Sequence, residues 1–179
     1  MNAIVENPTS IPLDHSVSLC HHSYLVRSLR SSDEPALVDM FSRSSAEDSC
    51  LRCLGAIKDF PHLGAARLMR ADKDREIALV AIDAGSSPQG EIVGVVHLIN
   101  EPGSSDSAEF DIMVRTDMQG RGIGFQLMKE ILAQARERGL KVVVGDVAGE
   151  NGKMLWMASE FGFSFEHVAA GVVRVTALL

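Results

Sequence analysis

The sequence is short of cysteine, of positive charge and of long apolar runs, and each shortage narrows the reading. Its three cysteines, Cys20, Cys50 and Cys53, are an odd number with no secretory leader recognisable ahead of them, so a disulfide framework is not expected. Cys50-Leu51-Arg52-Cys53 is a lone C-x-x-C, and a structural zinc site would want a second pair with similar spacing. His21 and His22 beside Cys20 could in principle complete such a set, but Cys50, Leu51 and Leu54 share a helical face, and the expected role is small buried hydrophobe; no metal is expected. No stretch approaches the roughly 18 apolar residues that cross a membrane, so no membrane partner is expected. Residues 1–22 lack a basic start and an uninterrupted apolar core, and their Asn, Pro, Ser and His read as a poorly ordered lead-in rather than a secretion signal. The expected compartment is the cytoplasm. A net charge of −7 leaves no basic stripe to displace phosphate counterions, which argues against nucleic acid and suits cationic partners such as amines.

What is present fits one domain, residues 23–179, within a chain of 179 residues. Tyr24 to Arg30 reads as a first strand. A helix follows, with Asp33 as N-cap and Pro35 in its first turn, and a second is expected from Ala46 to Gly55, with Pro61 beyond it. Glu76 to Asp83 and Glu91 to Asn100 are strands joined by a Gly-Ser-Pro hairpin loop. Ser107 to Arg115 alternates: Ala108, Phe110, Ile112 and Val114 share one face, Glu109, Asp111 and Met113 the other. Leu127, Met128, Ile131, Leu132 and Ala135 form the apolar stripe of a helix closed by Gly139. A buried strand from Lys141 to Val147, a helix in NGKMLWMASEFG and two last strands near Phe163 to Val168 and Val172 to Leu178 complete a mixed α/β sheet, not a doubly wound one.

Between the alternating strand and the striped helix lies MQGRGIG, Met118 to Gly124. Glycine costs about 1 kcal/mol per helical position, so three in five positions suggest a backbone that something approaches closely. The dinucleotide fingerprint fails because Phe125 stands where its third glycine belongs, and no G-x-x-x-x-G-K-[ST] string exists. What remains is Gln-x-x-Gly-x-Gly opening a helix, whose free N–H groups and dipole suit a pyrophosphate.

Gln119 to Gly124 is similar to the Q/R-x-x-G-x-G/A acyl-CoA motif of the GNAT N-acetyltransferase superfamily. DREIALVAI, AEFDIMVRTDMQGRGIG and GENGKML further resemble the acetyltransferase domain of bacterial protein lysine acetyltransferases of the Pat type. The resemblance covers the chain from Tyr24 on. It implies a single GNAT-like α/β domain, its mixed, mostly antiparallel sheet flanked by helices and its central strands splayed. It implies acetyl-CoA as cosubstrate: Ile112, Met113 and Val114 would bond the pantetheine arm through their backbone. Gln119, Gly120, Arg121, Gly122, Ile123, Gly124 and Phe125 would hold the pyrophosphate. Asn151 would touch the cofactor, although an N-cap role is an equal reading. The acceptor implied is a protein lysine, with acyl-CoA synthetases as candidate partners.

Transfer to an amine needs that amine neutral, and lysine, with a pKa of ~10.4, arrives protonated. Glu109 and Asp111 are the available bases. Two positions apart on a strand, their carboxylates share a face about 7 Å apart, close enough to raise each other's pKa. Glu109 of the AEF triplet matches the base in the Pat-type resemblance; Asp111 stands where relatives carry a small apolar residue. The departing thiolate finds Ala158 where many superfamily members place a tyrosine, and Trp156 nearby reads as core. A small amine or a protein N-terminus is the alternative acceptor, and a non-catalytic acyl-CoA-binding module the alternative of another class.

Overall fold

Eight strands form one mixed sheet in the computed structural model, which describes residues 14–45, 60–70, 72, 75–85 and 90–179. They are β1 (His15–Leu19), β2 (His22–Ser28), β3 (Glu76–Asp83), β4 (Glu91–Asn100), β5 (Ser107–Val114), β6 (Val142–Ala148), β7 (Ser164–Ala169) and β8 (Val172–Leu178). Their spatial order is β1-β2-β3-β4-β5-β6-β8-β7, and only β5 and β6 run parallel. The helices among the described residues are α1 (Glu34–Ser42), α2 (Phe60–Met69), α3 (Ile123–Glu137) and α4 (Gly152–Glu160).

Both faces of the sheet are covered. On one, Leu127, Met128, Ile131 and Ala135 of α3 and Met154 and Ala158 of α4 pack on Leu79, Val96, Phe110 and Val143. On the other, Leu37, Met40 and Phe41 of α1 meet Ala65 and Leu68 of α2 over Val80, Val95 and Met113. The alternation along β5 survives as expected, with Phe110 in the first core and Met113 in the second.

Three expectations need adjustment, and a fourth lies outside the described residues. The lead-in through residue 22 is corrected from His15 onward: His-Ser-Val-Ser-Leu alternates, pairs antiparallel with β2 and half-buries Val17 and Leu19. Its turn was hidden because Cys20 and His21 take positive φ (48° and 67°) where Asn-Gly would be the ordinary signal. Sequence reading gives no helix at 60–69, yet Pro61 lies in the first turn of α2, where a missing N–H costs nothing. The helix expected from Ala46 to Gly55, with Cys50 and Cys53, lies outside the described residues. Asp33 stands at the N-cap of α1 as expected, but its side chain makes no capping hydrogen bond. Its carboxylate instead accepts two hydrogen bonds from the Arg27 guanidinium (2.7 and 2.8 Å) and one from the Arg30 amide (2.8 Å). Burial alone would push that carboxyl up, but these donors together hold it below the ordinary carboxylate range.

Candidate active site

The parallel seam is short. β5 and β6 pair only at Ser107–Val142, Ala108–Val143 and Glu109–Val144; beyond that rung the strands separate. Sequence marks the fork on both sides. Gly145 has no side chain, and the Phe110 ring occupies the room, edge-on to Phe163 with centroids 5.7 Å apart. A Cβ at Gly145 would overlap three carbons of that ring. Gly145→Ala should therefore lower stability by about 1–3 kcal/mol, as overpacking does, read as a drop in the denaturant midpoint at unchanged slope. Past the fork, Ile112, Met113 and Val114 keep register with Val96, Val95 and Gly94 of β4, while the β5–β6 pairing ends before them and the sheet opens toward an extended ligand.

β5 leads into the glycine loop, whose base is fixed by a buried arginine. Arg115 donates to Asp117 (2.6 and 3.1 Å) and to Glu91 (2.8 Å), and its N–H bonds Val93 O. The same Glu91 accepts from Arg43 at the end of α1 (3.1 Å), and the Ser45 amide donates to Thr116 Oγ1 (2.8 Å). Gly120 and Gly122 then take left-handed φ of 74° and 84°, and Gly122 is the N-cap of α3. Among the described residues no acceptor meets the N–H groups of Gly120 through Phe125; the first helical bond runs from Gln126 N to Gly122 O at 3.0 Å. Over Gly120 a Cβ would meet nothing within 4 Å, so the backbone lies bare. Free amides at a helix start with open space above them suit a pyrophosphate.

Side chains of the loop do other work. Gln119 donates to Val114 O (3.4 Å) and accepts from Lys153 of α4 (3.0 Å), bracing the loop. Arg121 donates to Asp117 O, Ile123 is buried in the core, and Phe125 leans on Phe161 with centroids 4.5 Å apart. Asn151 is the N-cap of α4, its Oδ1 accepting from Met154 N at 3.1 Å, so the capping role is present and the side-chain NH₂ remains for a ligand.

At the fork, Glu109 and Asp111 lie on the α1/α2 face, with Glu109 on the last paired rung. The crowding of the fork removes enough water to push the Glu109 carboxyl up, and the carboxylates of Asp146 and Asp111 push it further; Arg67 and Arg174 oppose them. Sequence reading paired Glu109 with Asp111 alone. Asp146, 37 residues on, comes to the fork because β6 runs beside β5, and Arg174 of β8 grips it through two hydrogen bonds (2.7 and 2.8 Å). No local pattern announces such a neighbour. Ala158 is buried in the core, and Tyr24, on β2, lies three strands from β5 with its hydroxyl buried. Trp156 is 62% exposed rather than core, because it falls on the outer face of α4. Among the described residues no three His, Cys, Asp or Glu side chains come together as a metal would require.

A sheet that forks beside a bare-backbone cradle leaves room for an extended ligand, with a carboxyl at the fork beside it. Residues 43–163 match the model of the acetyltransferase (GNAT) family, and the chain belongs to that family. The GNAT domain of S. lividans PAT superposes with a TM-score of 0.82 over 96% of this chain and 99% of that one, at 24% identity. Spermidine N-acetyltransferase from Vibrio cholerae, in complex with CoA and spermine, gives 0.67 over 87% and 95% at 23% identity. L-methionine sulfoximine/L-methionine sulfone acetyltransferase of Pseudomonas aeruginosa is 32% identical over 88 residues. That match takes in 48% of this chain, which spans about half (49%) of the curated relative's length.

Proposed function

We propose that this chain moves acetyl from acetyl-CoA to a protein lysine in the cytoplasm, with Glu109 as general base. The observation that carries the reading is the Glu109 carboxyl, standing where the strands part, with its pKa raised by burial and by the Asp146 and Asp111 carboxylates. The cosubstrate supplies an acetyl group activated as a thioester. Ile112, Met113 and Val114 would hold the pantetheine arm through their backbone, and the amides of Gly120 to Phe125 the pyrophosphate. Glu109 takes the proton of the incoming ammonium, and a backbone N–H near Met113 steadies the carbonyl oxygen as charge builds. With alanine at position 158 the thiolate departs unaided, tolerable for a thiol with a pKa of about 8.5.

The fold likeness to the S. lividans PAT domain supports a protein acceptor; the local likeness to the sulfoximine acetyltransferase supports a small amine as the second reading. Thiol release from acetyl-CoA separates them, measured with purified acyl-CoA synthetases, with free methionine sulfone and with spermidine. Rapid release with a synthetase and acetyl-lysine in its digest supports the proposal. Release only with free amines sinks the protein acceptor, and cofactor binding without release to any amine leaves a sensor.

A further inference from the structure

His97 has no place in the chemistry just described. It stands mid-β4, 2% exposed, on the face that carries Glu109 and Asp111. An aliphatic side chain would pack there at lower cost, because an imbedded imidazole loses water at both nitrogens. Strand register places it between two carboxylates. Asp111 of β5 is its cross-strand partner, and on the β3 side its Nε2 lies 2.6 Å from Glu76 Oε2. α2 brings Arg67 over the same group. Burial holds the imidazole below its ordinary pKa, against the pull of Glu76 and Asp111 and with Arg67 adding to the lowering. Glu76 itself is 19% exposed and lines a cavity of about 410 Å³ with Leu63, Ala66, Arg67, Arg70 and Ile99. Asp111, His97 and Glu76 thus form a row from the fork to that cavity.

The proton balance of the reaction gives such a row something to carry. An ammonium acceptor sheds two protons as its C–N bond forms and the C–S bond breaks. One ends on the departing sulfur; the other must reach bulk water. An acceptor seated at the fork covers Glu109 from solvent, so the second proton needs another way out. We propose that His97 is the relay on that way, passing the released proton from Asp111 to Glu76 and so to the cavity. The proton reaches Asp111 from the amine or from Glu109 through one water. The imidazole takes it on one nitrogen and gives up the proton of the other to the Glu76 carboxylate once a small turn of the ring aligns Nε2, which is close to Glu76 Oε2 at 2.6 Å but makes no hydrogen bond in this geometry. The proposal rests on the acetyltransferase reading above.

The test uses the full chain with acetyl-CoA and poly-L-lysine or butylamine as probe acceptors, scoring acetylated product by mass spectrometry. His97→Phe, which fills the space, and His97→Ala are each expected to lower kcat about 10²-fold, the low end for proton-transfer groups, with KM for acetyl-CoA unchanged. Imidazole added to the buffer should restore His97→Ala in a saturable manner and leave His97→Phe unaffected, a pattern that a merely structural role does not give. In wild type, NMR should find the His97 imidazole titrating below the ordinary histidine range and lower still in Glu76→Gln, a readout that survives if the histidine variants fail to fold. Wild-type turnover matched by His97→Phe, or an imidazole titrating at or above its ordinary pKa, overturns the relay alone. No turnover by wild type with these probes or with methionine sulfone or spermidine overturns the transferase reading and the relay together.

Discussion

Glu109→Gln is expected to lower turnover about 10²- to 10⁴-fold at neutral pH, the span of general-base catalysis, while acetyl-CoA affinity stays unchanged. Glutamine keeps the size and hydrogen bonds of glutamate but cannot take a proton. The wild-type rate should fall as pH drops through the raised Glu109 pKa, because the base must be ionised to act. In the variant the rate should instead climb steadily with pH as the amine, with a pKa of ~10.4, loses its proton to water. Asp146→Asn refines the test. It removes the neighbouring charge that raises Glu109 most and frees Arg174 to stabilise the carboxylate, so the acid limb should move to lower pH. Asp111→Asn should move it less and, because Asp111 heads the His97 relay, should also lower kcat as much as loss of His97 does, about 10²-fold. A mild Glu109→Gln beside a crippling Asp111→Asn would transfer the base role to Asp111.

The second large effect concerns the cradle. Gly122 holds a φ of 84°, where a β-branched residue is an outlier costing about 1–3 kcal/mol. A Cβ there would touch only Leu19 Cδ2, at 3.8 Å, so the fold has room for it. The ligand does not, because the new side chain covers amides that await an anion. Gly122→Val should weaken acetyl-CoA at least about tenfold by calorimetry, or 1.4 kcal/mol, with the far-UV spectrum of wild type. Unchanged affinity in a folded variant would remove the phosphate role from the loop.

Legibility in the sequence followed the reach of each signal. β3 and β4 are bounded where their apolar runs begin and end, and the stripe of α3 and the glycines before it are local patterns that packing leaves intact. β1 escaped because two non-glycine residues make its turn, and α2 because Pro61 reads as lying beyond a helix rather than in the first turn of one. At the site, Glu109 was legible from strand alternation and a family-like triplet. Asp146 and His97 were not. Each gains its meaning from strands that are neighbours only after folding, and a one-dimensional pattern carries no term for a charge that arrives from β6 or a carboxylate that arrives from β3.

Arg43 and Arg115 share the carboxylate of Glu91, and Ser45 holds Thr116, so the end of α1 is bolted to the base of the glycine loop. Ligands that order either element thereby draw on one set of bonds. Thermodynamic linkage then makes the effect mutual: whatever factor an acceptor seated near α1 adds to cosubstrate affinity, the cosubstrate returns to the acceptor. Affinities measured for the two ligands separately will understate the stability of the ternary complex, and Glu91→Gln should bring the separate and combined values together.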